Sequence, residues 1–146
     1  MRRIMQHASA YEWHGRILLH PDSKTTDGVW VGGQPVSSSD PGNPIELGRA
    51  VLSALAGSKE GVPHPSIWGD TSAFLLKFAG AKSFRAFFGS ARCVTIELQN
   101  DRVTFRPYRN LGSRDGYRPI KGKDRTSLAN ASELGAALLS AFQDTE

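Results

Sequence analysis

Residues 46–55, Glu-Leu-Gly-Arg-Ala-Val-Leu-Ser-Ala-Leu, return at 133–142 as Glu-Leu-Gly-Ala-Ala-Leu-Leu-Ser-Ala-Phe. Seven of the ten positions are identical at an offset of 87, and Val51/Leu138 and Leu55/Phe142 are conservative exchanges. Asn43 and Asn130 stand three residues before Glu46 and Glu133, so each copy predicts an Asn N-cap with Glu at N3, a variant of the capping box. Leucines and alanines then recur at helical spacing, and both copies read as amphipathic helices. Pro44 is tolerated just inside the first helix, and Gly57 is its expected stop. The odd residue is the glycine in each first turn, Gly48 and Gly135. A helical glycine costs about 0.5–1 kcal/mol relative to alanine, so its presence in both copies predicts that each helix lies tight against other backbone. The repeat therefore reads as a structural device framing one sheet rather than as a site.

The rest of the chain reads as short strands and loops around these helices. Strands are expected around Tyr11–Trp13, at Arg16–His20 ended by Pro21-Asp22, and at Val29–Val31 before Gly32-Gly33. Ser37 to Pro44 reads as a loop, and so does Ser58 to Ser66 with its three breakers. Asp70 or Thr71 can cap a helix through Leu75, Leu76 and Phe78 that ends at Gly80, while Lys82 to Phe88 reads as a strand or bent strand-to-turn segment. Cys93–Leu98 and Val103–Tyr108 around Asn100-Asp101 form an antiparallel hairpin, with Pro107 expected at a sheet edge or a bulge. A strand over Tyr117–Ile120 and a basic loop over 121–127 lead to the second repeated helix, 131–143. The expected fold is α+β: one domain spanning 1–146, a mostly antiparallel sheet with about three helices stacked on one face.

With 146 residues, 39% of them apolar, the chain can bury one proper core. No apolar run nears the roughly 20 residues of a membrane span, and the basic N-terminus has no apolar stretch behind it that would make a signal peptide. One cysteine, Cys93, cannot form an internal disulfide, which places the protein in a reducing compartment, the cytoplasm.

Charge is uneven. Residues 1–73 carry 6 Lys/Arg against 7 Asp/Glu, and residues 74–146 carry 12 against 7, so nets of −1 and +5 sum to the overall +4. Most of the excess lies in 102–125, where eight cations face Asp115 and Asp124 alone. Such a field selects an anionic partner: nucleic acid, phosphate or an acidic protein surface. Arginines and aromatics interleave there (Arg106, Tyr108, Arg109, Arg114, Tyr117, Arg118), a composition suited to phosphate contact with base stacking, although no known nucleic-acid-binding signature accompanies it.

Other chemistry finds no foothold. His7, His14, His20 and His64 lack metal-ligand spacing, and a lone cysteine completes no zinc pattern. There is no Gly-x-Ser-x-Gly elbow, and Cys93 lies in a strand pattern where an inert buried thiol is usual. Gly116 to Lys123 imitates a phosphate loop, but its glycines are one residue too far apart and Asp124 stands where Ser or Thr is needed. No catalytic residues, metal ligands or cofactor are assigned, and a small hydrolase is the least supported reading.

The two Glu-Leu-Gly-x-Ala-x-x-x-Ala copies bracket Leu75-Leu76-Lys77-Phe78-Ala79-Gly80-Ala81-Lys82-Ser83-Phe84, followed by a hairpin ending in Phe105-Arg106-Pro107. In that order and spacing, over about residues 44–143, the chain resembles a family of immunity proteins of bacterial contact-dependent growth inhibition systems, CdiI. The resemblance implies a cytoplasmic, non-enzymatic protein that binds the C-terminal toxin domain of a cell-surface effector, commonly a nuclease, and blocks it. The matching residues are core and turn positions and carry over no binding residues. From its charge the 106–125 surface is the expected toxin-binding site: Arg109, Arg114, Arg118, Lys121 and Lys123, with Tyr108 and Tyr117 as anchors. The competing patch is the loop around His64 and Trp68, and the alternative function is an RNA- or DNA-binding module using 102–125.

Overall fold

The computed structural model describes residues 5–66 and 70–146, the side chains of residues 70 and 71 excepted. A hairpin of β1 (Gln6–Trp13) and β2 (Arg16–Thr25) leads through short strands β3 (Trp30–Gly32) and β4 (Ser37–Ser39) into helix α1 (Pro44–Ala56). A middle section holds β5 (Glu60–Val62), α2 (Asp70–Ala79) and α3 (Phe84–Phe88). The first order then repeats: a hairpin of β6 (Arg92–Gln99) and β7 (Arg102–Asn110), short strands β8 (Tyr117–Pro119) and β9 (Arg125–Leu128), and helix α4 (Ala131–Gln143). The fold is α+β, as expected, with four helices among the described residues.

The strands form one sheet in the order β3-β2-β1-β6-β7-β8, with β4 and β5 also on β2 and β9 also on β7. Among the described residues only the β2–β5 pair is parallel. The order reads the same outward in both directions from the central β1–β6 pair, so the repeated helix is the most legible end of a duplicated half-domain. Ser9 lies directly opposite Thr95, the residue 86 positions on, as a two-fold relation between the halves requires. The copies share details: Ser9 Oγ donates to Asp22 Oδ2, and Thr95 Oγ1 donates to the Tyr108 hydroxyl, again 86 positions on.

Two prolines explain why each half has two short outer strands. Pro21 sits inside β2, between the segment paired with β4 (Ile17–Leu19) and the segment paired with β3 (Asp22–Lys24). Pro107 sits inside β7, between the segment paired with β9 (Arg102–Phe105) and the segment paired with β8 (Tyr108–Asn110). Each proline carbonyl accepts from the outer side, from Gly33 N–H and Ile120 N–H respectively. In an antiparallel strand the missing N–H falls on that same side, so no continuous outer partner can pair there. Pro107 is thus a buried interior residue at a break between two partners, not the sheet-edge or bulge residue expected, and β2 runs through Pro21-Asp22 instead of stopping there.

Other expectations are corrected as well. The Ser37–Pro44 loop contains β4, the Ser58–Ser66 loop contains β5 and a buried Ser58, and the 121–127 loop runs into β9. These strands are short and polar, so their only signal is the neighbour that pairs with them. Residues 84–88 are helical: Ser83 Oγ accepts from Ala86 N–H as an N-cap, and Phe84 meets Phe88 across one turn with ring centroids 4.6 Å apart. Aromatic content argued for a strand, but the cap and the burial of Phe87 decide for a helix. The proposed caps at Asp70 and Thr71 lie outside the described side chains.

The helices occupy both faces of the sheet rather than one. On one face α1 and α4 bury Leu47, Val51, Leu55, Leu134, Leu138 and Phe142 against Ile17, Leu19, Val94, Ile96, Val103 and Phe105. On the other, α2 and α3 bury Leu75, Ala79 and Phe87 against Trp13 and Leu18. Each such large side chain contributes roughly 1.5–3 kcal/mol when fully buried. The Asn caps form as expected, with Asn43 Oδ1 accepting from Glu46 N–H at 3.2 Å and Asn130 Oδ1 from Glu133 N–H at 3.0 Å. The Glu46 carboxylate reaches forward to Arg49 instead of back to the cap, which leaves the first motif half of a capping box. The expected close approach at the glycines is present: a Cβ on Gly48 would lie 1.8 Å from the Ala131 carbonyl oxygen, and one on Gly135 would lie 1.8 Å from that of Pro44.

Candidate functional site

The basic segment occupies β7, the outer strand β8, and the turns on either side of β8. Strand pleating divides its residues. Val103, Phe105 and Pro107 point toward α1 and α4, and Arg109 continues that set, donating from Nη2 to Glu146 Oε1 just beyond α4. Arg118 is registered directly opposite Arg109 and shares its face. Like charges so placed repel, and the Glu146 carboxylate offsets that repulsion on one of them. Tyr108 and Tyr117 point to the opposite face, where their rings meet edge-on at 6.5 Å. The arginines and tyrosines interleaved in sequence are therefore separated in space.

Among the eight cations of 102–125, Arg106 pairs with Asp124, Arg109 with Glu146, and Arg125 with Asp144. The Asp124 hydrogen bond raises the Arg106 pKa, holding its charge more firmly. Arg114, Arg118, Lys121 and Lys123 are exposed, and their side chains form no ion pair or hydrogen bond with the described residues. They mark one side of the molecule with uncompensated positive charge.

The tyrosines lie lower. Tyr117 is half-buried, donates its hydroxyl to the Ala91 carbonyl at 2.7 Å, and packs its ring near Tyr11 and Phe88. The Tyr108 hydroxyl accepts from Thr95 at 3.2 Å. Burial pushes the Tyr117 phenol well above its ordinary value, and does the same to Tyr11 and the Cys93 thiol beneath it. The folded state holds these three protons more tightly than the unfolded chain does. Raising the pH therefore ionises the unfolded chain first, near 8.5 for the thiol and about 10 for the phenols. Their contribution to stability is complete below those values and is lost above them. The melting temperature is expected to stay flat up to about pH 8 and to fall steadily beyond pH 9, with Cys93 unreactive toward a thiol reagent until the chain unfolds. A melting series from pH 7 to 11 checks this.

Sequence reasoning missed a second positive element. Arg85 and Ala86 of α3 face Ser113 and Arg114 of the turn after β7 across an open concavity. On the far side of Ala86 a second concavity is lined by Trp13, His14, Arg16 and Lys82. The signal was present in sequence as Ser83 before Phe84-Arg85-Ala86, a capped turn that would have presented Lys82 and Arg85 outward. Reading the aromatics as a strand obscured it.

A further group of polar residues lies deep on this same face. Ser9 donates to Asp22 Oδ2 at 2.6 Å, His7 Nδ1 lies 2.6 Å from that oxygen, and His20 Nδ1 lies 3.4 Å from Oδ1. His7 stacks on Trp30, and the backbone N–H of His7 donates to Ser58 Oγ, which donates to the Asp22 carbonyl. These contacts tie β1, β2, β3 and the end of α1 together, and none of the concavities described above opens onto them. His64 lies apart, 3.4 Å from Asp27, and its proposed companion Trp68 lies outside the described residues. Among the described residues no three His, Cys, Asp or Glu side chains come together as a metal site, and no helix is long and apolar enough to cross a membrane.

Residues 39–145 match the model of the CdiI family, the CDI immunity proteins. The chain belongs to the CdiI family. Two solved structures share the fold of this CdiI protein. A protein of unknown function from Neisseria meningitidis is 20% identical, with a TM-score of 0.81 and coverage of 98% of this chain and 96% of that one. A CdiA-CT/CdiI toxin and immunity complex from Yersinia pseudotuberculosis is 17% identical, with a TM-score of 0.80 and coverage of 99% of both chains. No curated protein matches. The CdiI family match takes in α1, the middle section and the whole β6–α4 half, and with them every residue of the basic surface except Arg16 and His14.

Proposed function

We propose that this CdiI protein binds and neutralises the C-terminal toxin domain, a nuclease, of a cognate contact-dependent growth inhibition effector. It acts in the cytoplasm by occupying the toxin and without turnover of its own. The family match over 39–145 carries this reading, and the uncompensated charge on the β8 side gives it a surface. Arg114, Arg118, Lys121 and Lys123 meet acidic groups of the toxin and speed encounter. Arg109, its charge offset by Glu146, adds to the same face beside Arg118, while Tyr108 and Tyr117 hold β7 and β8 in place beneath. The opposite orientation of the tyrosines and Arg109/Arg118 weighs against the nucleic-acid alternative, because stacking and phosphate contact would have to occur on two faces at once.

Expression of the toxin domain encoded beside this protein should arrest growth, and co-expression of the immunity protein should restore it. Continued arrest would end the immunity reading. The triple variant R118E/K121E/K123E should associate with the toxin roughly ten- to a hundredfold more slowly, with an unchanged melting temperature because these side chains support nothing in the fold. Association at the native rate would move the interface off β8.

A further inference from the structure

We infer that the trough over α3 is a receptor for an acidic projecting segment of the toxin. This inference rests on the immunity reading and adds to it a site and the chemistry of what fills it. Two open concavities meet at Ala86, and their combined lining presents Arg16, Lys82, Arg85 and Arg114 without one carboxylate. Of these, Arg16 donates to the Ala79 carbonyl at the end of α2. Arg85 and Arg114 form no ion pair or hydrogen bond through their side chains with described residues, and the nearest acid in sequence, Asp115, is exposed and outside the lining. Four cations gathered in a concave site without counter-charge raise each other's electrostatic energy. That energy is released when carboxylates enter, and a concave, partly desolvated wall increases the release.

The shape and the neighbours narrow the occupant. Two arginines line one concavity from different elements, Arg85 on a helix and Arg114 on a turn, and guanidinium groups suit carboxylates held by bidentate bonds. Two large apolar side chains are exposed at positions adjoining the lining in sequence: Phe84, next to Arg85, is 50% exposed, and Leu111, next to Gly112, is 37% exposed. A loop carrying Asp or Glu with an apolar residue beside it satisfies both features. A nucleic-acid strand would use the cations and stack a base on Phe84 but leave Leu111 in water, and the RNA arm of the test below separates the two occupants. The trough is also peculiar to one half of the molecule, because α2 and α3 have no counterpart in the duplicated halves. It therefore marks a surface that the symmetric scaffold does not need.

The experiment measures binding of the purified neighbouring toxin domain to the full-length protein between low and moderate salt. The R85E/R114E variant should keep the native circular dichroism and melting temperature. Its association rate should fall about a hundredfold, and the decline of that rate with salt, present in the native protein, should become shallower because only Arg118, Lys121 and Lys123 still steer the encounter. R85K/R114K should recover most of the rate but less of the affinity, since lysine supplies charge without the fork. Native binding by a folded R85E/R114E protein overturns the inference while leaving the immunity reading intact. So does unchanged toxin binding combined with loss of affinity for a single-stranded RNA oligomer. Failure of the native protein to bind the toxin at all removes the immunity reading and this inference with it.

Discussion

Replacing Gly48 or Gly135 by alanine is expected to destabilise the protein by about 4 kcal/mol or more, among the largest effects of any single substitution in the chain. A Cβ at either position would sit 1.8 Å from a backbone carbonyl oxygen of the other helix, where real Cβ atoms essentially never come within 3.0 Å. The obstacle is backbone near a helix start, not the end of a flexible side chain, so α1 and α4 would have to separate by more than an ångström. That separation would open the core layer containing Leu47, Val51, Leu134 and Leu138. Helix propensity alone gives the opposite sign, since alanine is favoured over glycine by about 1 kcal/mol inside a helix. Gly33 is the control: nothing lies within 4 Å of its hypothetical Cβ, and Gly33→Ala should change stability by no more than about 0.5 kcal/mol. Urea unfolding of the three variants decides the matter, and a Gly48→Ala protein as stable as the native one would show that the helices can slide apart cheaply.

Asp22→Ala is expected to cost about 3 kcal/mol. The Asp22 carboxyl is buried and is the common partner of Ser9, His7 and His20. Removing it leaves the Ser9 hydroxyl and the inward nitrogen of His7 without their partner in a region closed by Trp30 and Phe74. Asp22→Asn keeps one acceptor oxygen and should cost less than half as much. Asp27→Ala, at a side chain 65% exposed, should be close to neutral. The urea midpoint again measures all three, and equal midpoints for Asp22→Ala and Asp27→Ala would mean that the buried network contributes little.

The halves of the molecule differ in how legible they were. The α1 and α4 helices, their Asn caps and the β6–β7 hairpin were all readable, because each is specified by residues within a few positions of one another. Asn43 finds its N–H three residues on, and Asn100, with a left-handed φ of 60°, turns the hairpin on the spot. The short strands β4, β5 and β9 were not readable. Ser37–Ser39 and Glu60–Val62 have no pattern of their own and become strands only because β2 offers them a free flank. Pro107 misled for a related reason: proline excludes a donor on one side of a strand, and sequence does not say that the neighbour on that side is already interrupted. At the site, the charge of 102–125 was legible. The division of Arg109 and Arg118 from Tyr108 and Tyr117 follows from the pleat once β7 and β8 are paired. The addition of Lys82 and Arg85 depends on α3 lying across a concavity from a turn 28 residues further along the chain, counted from Arg85 to Ser113.

The amino-acid sequence by itself determined the duplicated helix, its glycines and the sign of the charge in the second half, because local hydrogen bonds and composition settle these without reference to distant chain. Only the tertiary structure decided that the duplication extends to a whole half-domain about the β1–β6 pair. It alone placed α2 and α3 on the face opposite the repeat, and gathered cations from three separate stretches into one trough. Those outcomes depend on contacts between residues far apart in sequence, where the free energy lies in strand pairing and burial, and no single stretch of the chain contains both partners.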